Sequence, residues 1–168
     1  MLLLILPPTL LHGQNKTASE YQVKAVFLYN FTQFVDWPHE TFNSPEEPFV
    51  IGIIGDDPFG SNLSEAIAGE KFGNHPIVIK HFRKTEEIEN CQMLYINSDD
   101  QEEVENILTS ISKKNILTIS DAPAFNKWGG IIQFYIENNK IRLRINVERS
   151  KAAGLSISSK LLNVAKTN

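Results

Sequence analysis

Acidic and hydroxyl side chains recur where apolar runs of this chain end. Asp56 and Asp57 follow PFVIGIIG, Ser98 follows CQMLYIN, and Ser120 and Asp121 close NILTISD. In open α/β sheets, ligands bind outside the carboxyl ends of the strands, where strand order reverses. These residues are the candidate ligand crevice. The stretch GIIGDDPFG, residues 52–60, also has the look of a nucleotide-binding loop. It fails both common forms. A dinucleotide fingerprint needs G-x-G-x-x-G, and here Ile53 and Ile54 separate the first two glycines. A P-loop ends in G-K-[ST], and here Gly60 precedes Ser61-Asn62. Asp56 and Asp57 would also set negative charge against a phosphate. The spacing instead predicts a strand ended by Gly55, an Asp56 or Asp57 cap on the next helix, and Pro58 in its first turn.

Other chemistry finds little support. His12, His39, His75 and His81 stand at no metal-ligand spacing from one another or from Cys91. There is no G-x-S-x-G elbow. No metal, cofactor or catalytic residue is expected, and the chain does not read as an enzyme. With a single cysteine, no intrachain disulfide can form. Cys91 reads as a buried core thiol at a strand start, the other reading being a reactive or intermolecular thiol.

The 168 residues suffice for one domain with a real core. A net charge of −4 argues against nucleic acid as a partner, since neutralising phosphates takes clustered positive charge. The opening MLLLILPPTLLHGQ carries no charge and is too short and proline-broken to span a bilayer. Residues 1–14 suit a secretory signal with Gly13 near the cleavage site, although a basic start is missing. The alternative is a hydrophobic tail that packs locally.

The elements that must position these residues follow from pattern. Ser19 to Gln22 fits a capping box, opening a helix that runs to Val35 and stops before Trp37-Pro38. Residues 48–55, 76–82, 91–97 and 115–121 read as strands. Residues 59–69 and 100–114 read as helices, with a short helical turn at 85–90. The alternation predicts a single-domain, three-layer α/β fold with an open, mostly parallel sheet. Residues 131–137 and 140–147 flank Asn138-Asn139 and read as an antiparallel β-hairpin at one edge. The register sets Ile136, Phe134 and Ile132 against Ile141, Leu143 and Ile145 on one face. Glu137, Tyr135 and Gln133 meet Lys140, Arg142 and Arg144 on the other. A last helix, 158–166, should dock through Leu161, Leu162 and Ala165.

Two surfaces read as candidate contacts. The first helix carries apolar residues around its whole cylinder, including Leu28, Tyr29 and Phe31. A surface helix needs only one apolar stripe. Either it lies deep in the core, or a partner or second subunit covers its outer face. Basic residues on the hairpin form either a solvated face or an interaction face on which Gln133, Tyr135, Arg142 and Arg144 would make contact.

Residues 20–167 resemble the YfiR-like family of periplasmic proteins, also grouped as a domain of unknown function. The carrying pieces are VKAVFLYNFTQFVDWP, IGIIGDDPFG, CQMLYI, ILTISDAPAF followed by WGGIIQF, and IRLRINVERSKAAGLSISSKLL. The resemblance implies regulation. The type member is a soluble periplasmic repressor of an inner-membrane diguanylate cyclase, sequestered by an outer-membrane lipoprotein, and so acts on cyclic-di-GMP. Other members stand beside histidine kinases. The resemblance therefore implies a periplasmic location for residues 19–168, a homodimer and a membrane signalling partner. The alternative is a small-molecule sensor module acting with a histidine kinase. Some members carry disulfides, from which this chain departs.

Overall fold

The computed structural model describes residues 11–167, so residues 1–10 of the expected export segment lie outside it. The first helix, α1 (Leu11–Phe34), begins eight residues before the expected cap. Ser19 therefore lies inside the helix and the capping box does not form. The nearest upstream proline is Pro8, and a nucleated helix propagates until something stops it. The expected stop holds: the chain turns extended at β1 (Val35–Asp36) before Trp37-Pro38. The α1 inner face buries Ala25, Leu28 and Phe31, while Val23 and Val26 face outward, 44% and 47% exposed.

The remaining elements follow in order. They are β2 (Phe49–Gly55), α2 (Ser61–Ala66), β3 (Lys71–Phe72), β4 (His75–Phe82), β5 (Met93–Asn97), α3 (Gln101–Ser110) and β6 (Leu117–Ser120). The hairpin is β7 (Ile132–Glu137) and β8 (Lys140–Ile145). After it come α4 (Val147–Ala152), β9 (Ser156–Ile157), α5 (Ser159–Leu162) and β10 (Lys166–Thr167). The main sheet runs β10-β8-β7-β6-β5-β2-β4-β3. Its centre is parallel from β4 through β7, and β8 is antiparallel to β7. Taken in chain order, the doubly wound part is 2-1-3-4-5. Strand order therefore reverses between β2 and β5.

Strand alternation builds two cores. Phe49, Ile51 and Ile53 of β2 join Leu28, Phe31 and Phe134 under α1. Val50 and Ile54 join Leu94, Ile96, Val104, Ile107 and Phe125 under α3. Both faces of β2 are thus dry, which is why it reads as a nearly unbroken apolar run.

The hairpin register is the expected one at every pair from Ile132↔Ile145 to Glu137↔Lys140. Asn138 and Asn139 take φ of 52° and 57°, the left-handed pair a two-residue turn requires. The chain end differs from expectation. Ser158 caps a helix that ends at Leu162, and residues 166–167 pair in parallel beside Arg144 and Ile145. One helical turn holds little stability alone, and the open edge of β8 offers the backbone partners instead. The pair β1–β9 and the helix α4, capped by Asn146 accepting from Arg149 N at 3.0 Å, were not anticipated.

Cys91 is buried just before β5, its thiol 3.0 Å from the Met93 carbonyl oxygen. Burial pushes its pKa up to about 12, so almost no thiolate forms at neutral pH. Native protein at pH 8 should resist a thiol reagent such as dithionitrobenzoate for hours, then react fully in 6 M guanidinium. Rapid native labelling would restore the reactive-thiol reading.

Candidate functional site

The residues expected to share one crevice are placed on different faces. Asp57 Oδ1 accepts from Phe59 N at 2.7 Å, and Oδ2 lies 2.8 Å from His81 Nε2. It closes a turn and does not cap α2. That helix starts after Gly60, with no side-chain cap, and Pro58 precedes it. Ser98 Oγ donates to Glu103 at 2.5 Å and accepts from Asp100 N at 3.2 Å, fixing the start of α3. Asp100 completes that cap by accepting from Glu103 N. Ser120 is buried, with its Oγ accepting from Ala122 N at 3.1 Å.

At the reversal point the strand ends are tied together. Asn97 Nδ2 donates to the Asp56 carbonyl oxygen at 2.7 Å, bridging β5 to the loop after β2. On the α3 side of this bridge lies a wide depression of about 830 Å³. Asp56, Arg83, Lys84, Asp100, Glu103 and Asn106 are among its lining residues. Of the expected crevice residues, Asp56 alone lines it.

Asp121 turns the other way, under α1. Its Oδ2 accepts from Tyr21 Oη at 2.8 Å and from Lys24 Nζ at 2.6 Å. Lys24 also reaches Glu20 at 2.5 Å and lies 4.3 Å from the Tyr21 ring centroid. Its side chain is only 2% exposed. The buried Tyr95 hydroxyl stands beside the cluster without a hydrogen-bond partner of its own. Burial pushes the Asp121 carboxyl upward, but the Lys24 ammonium and Tyr21 hydroxyl outweigh it and hold it below the usual range. Burial, with Asp121 beside it, raises the Tyr21 hydroxyl well above its ordinary value. Tyr21, Lys24, Glu20 and Asp121 serve one another, which is the arrangement of a structural clasp. Sequence reading missed Lys24. Its signal was available: it shares the helical face of Leu28 and Phe31, and Glu20 stands one turn before it.

Of the expected contact residues, Leu28 and Phe31 point into the core and are unexposed, so they cannot meet a partner. Tyr29 donates to Glu70 at 2.7 Å, tying α1 to the segment after α2. Gln133 is buried, donating to the Pro123 carbonyl oxygen at 2.8 Å beneath Arg144. Tyr135, Arg142 and Arg144 do form an open face. The Arg144 guanidinium lies 4.9 Å and the Lys166 ammonium 5.3 Å from the Tyr135 ring centroid. Lys166 pairs with Glu137 at 2.9 Å, and its hydrogen bond holds that carboxyl below its usual range. Among the described residues, no cluster of histidine, cysteine and carboxylate could hold a metal ion.

Fold and site together define a doubly wound α/β domain whose polar strand ends mostly hold one another and whose hairpin presents a cationic, aromatic face. The chain belongs to the YfiR/HmsC-like family, whose model matches residues 21–166. That family regulates cyclic-di-GMP signalling, is regulatory rather than catalytic, and is of periplasmic type. Among solved structures, the chain is similar to a conserved domain protein from Vibrio cholerae O1 biovar El Tor. The TM-score is 0.58 at 10% identity, over 88% of this chain and 59% of that one, a likeness of fold alone. No match is found among curated proteins. No helix among the described residues is long and apolar enough to cross a membrane.

Proposed function

We propose that this chain is an exported regulator that binds the outer part of a membrane signalling protein and holds it in one state. The partner is a diguanylate cyclase, or a histidine kinase in the same role. The family match over residues 21–166 carries this reading. Binding one conformation better than the other shifts the partner's equilibrium, and the differential affinity sets the size of the shift. Repression follows if the bound state is the inactive one. The open hairpin face supports the reading physically, since charged and aromatic groups stand at the surface there, available for contact.

The test is deletion of the chain in its host with cyclic-di-GMP measured, beside co-purification from solubilised membranes. The expected result is raised cyclic-di-GMP and recovery of one inner-membrane signalling protein. Unchanged cyclic-di-GMP and kinase output with no such protein recovered would overturn the proposal.

The depression at the strand reversal supports a second role, as a receptor for a small molecule. Its volume falls within the range of ligand pockets, and it is lined by both signs of charge. A ligand of the native state must raise stability. A metabolite that raises Tm in wild type but not in Asp56→Ala would support this role. A screen without such a compound would remove it.

A further inference from the structure

The tip of the hairpin has two unlike faces that meet at Lys140. On the α1 side, β7 and β8 face the helix across a groove of about 480 Å³, whose apolar wall is Val23, Phe27, Ile136 and Ile141. Ile136 is 51% exposed and Val23 44%, and Val26 prolongs the apolar strip along α1. Water-facing aliphatic side chains are common singly, but contiguous ones beside a groove mark a contact site. On the opposite face, Lys140, Arg142 and Arg144 of β8 stand with Lys166 of β10. The carboxylate there, Glu137, is held by Lys166 at 2.9 Å and lies 3.9 Å from Arg142. Lys140 stands across from it in the strand register yet has no ion pair among the described residues. Lys140 also lines the groove. A chain of net charge −4 thus gathers an excess of positive charge beside this apolar groove, whose rim also carries Glu20, already bonded to Lys24.

We infer that this tip is the docking site for an acidic amphipathic segment of a partner polypeptide. Its apolar side chains seat between Val23, Phe27, Ile136 and Ile141, and its carboxylates reach Lys140 and Arg142. The charge decides the choice of partner. A basic segment would be repelled by Lys140, Arg142 and Lys166. A second copy would bring the same cations to the same place. An acidic one gains attraction at the rim and burial in the groove, and steering by opposite charge speeds its approach. Lys140 borders both the groove and the cationic face, and so joins the apolar contacts to the charged ones.

The inference rests on the regulator reading and is tested so that the two can fail separately. A photoreactive benzoylphenylalanine replaces Ile136 in the full chain, expressed in its own host, with a second probe at exposed Lys113 beyond α3. Adducts are mapped by mass spectrometry. The expected adduct from position 136 lies on a segment of another polypeptide with Asp or Glu flanking apolar residues. Its yield falls at least tenfold in the K140E/R142E background, whose thermal transition stays near wild type because both side chains are exposed. Adducts to lipid, to a second copy, or to a basic segment overturn the inference, as does a yield unaffected by K140E/R142E. If only the Lys113 probe captures a membrane signalling protein, the regulator reading stands and this docking site does not.

Discussion

Asp121→Ala should destabilise the protein by about 3 kcal/mol at pH 7, because it takes from a buried ammonium one of its two carboxylate partners and from Tyr21 its acceptor. Lys24 is 2% exposed and bonds two carboxylates, while Asp121 and Glu20 are 23% and 24% exposed. That asymmetry makes the variants unequal. Removing Asp121 leaves a charge that cannot reach water with Glu20 as its remaining carboxylate. Lys24→Met instead removes the buried charge, and the two carboxylates left behind can hydrate, so its cost should be nearer 1 kcal/mol. Urea denaturation at pH 7 measures both. For a chain of this size, 3 kcal/mol corresponds to a Tm lower by roughly 10 °C. Equal costs for the two variants would mean that water reaches Lys24 and that the clasp is looser than its geometry.

The same clasp sets an acid limit. The Asp121 carboxyl is held below its ordinary value in the folded chain, so folding favours its ionised form. Its contribution is full above the unfolded value, about 3.9, and is lost as pH falls through the lower folded one. Wild type should therefore lose stability more steeply than Asp121→Ala as pH falls below about 4. Parallel pH curves for the two proteins would count against the assignment. Because the clasp ties α1 to the end of β6, acid unfolding should also free the helix that forms one wall of the docking groove.

Much of this architecture is legible from residues in sequence, and the reasons differ by element. The hairpin register follows from alternation alone, because a slip of one residue would turn Phe134 and Leu143 out to water. The central strands follow from apolar runs buried on both faces. The end of the chain was misread because its helical pattern is too short to outweigh the open edge of β8. The start of α1 was misread because a capping motif is only a local preference, and an upstream chain without proline can remain helical. The crevice was the least legible part. Sequence marks which residues end strands but not which face each loop then takes. Asp56 and Asp121 leave the ends of β2 and β6, the strands on either side of β5, toward opposite layers. Pairings such as Lys24 with Asp121 span 97 positions and have no local signature. Gly130 is similar: a Cβ there would meet the Phe125 ring at 2.1 Å, a contact visible only once Phe125 folds back.

The largest loss from a single methyl group is expected at Gly55, in the stretch that first resembled a nucleotide loop. Gly55 has φ +90°, and a Cβ there would stand 2.4 Å from the Asn97 carbonyl oxygen. Two costs add. A non-glycine residue in that region is strained by about 1–3 kcal/mol, and forcing atoms into a packed site costs about 1–3 more. The obstructing atom is backbone, so it cannot move aside as a side-chain tip would. Gly55→Ala should therefore lose about 4 kcal/mol. Gly69→Ala supplies the comparison, with φ +75° and nothing within 4 Å of its Cβ, so that it carries the strain without the collision. Its loss should be near 1 kcal/mol, and the difference measures the close approach of β2 to β5. Amide exchange should show where the extra cost falls: Gly55→Ala pushes Asn97 away, breaks its 2.7 Å bond to the Asp56 carbonyl oxygen, and unprotects the end of β5. Equal losses at the two glycines would show that the strand ends can part freely. The reversal point would then be a gap that opens, where the structure has the two strands fastened together.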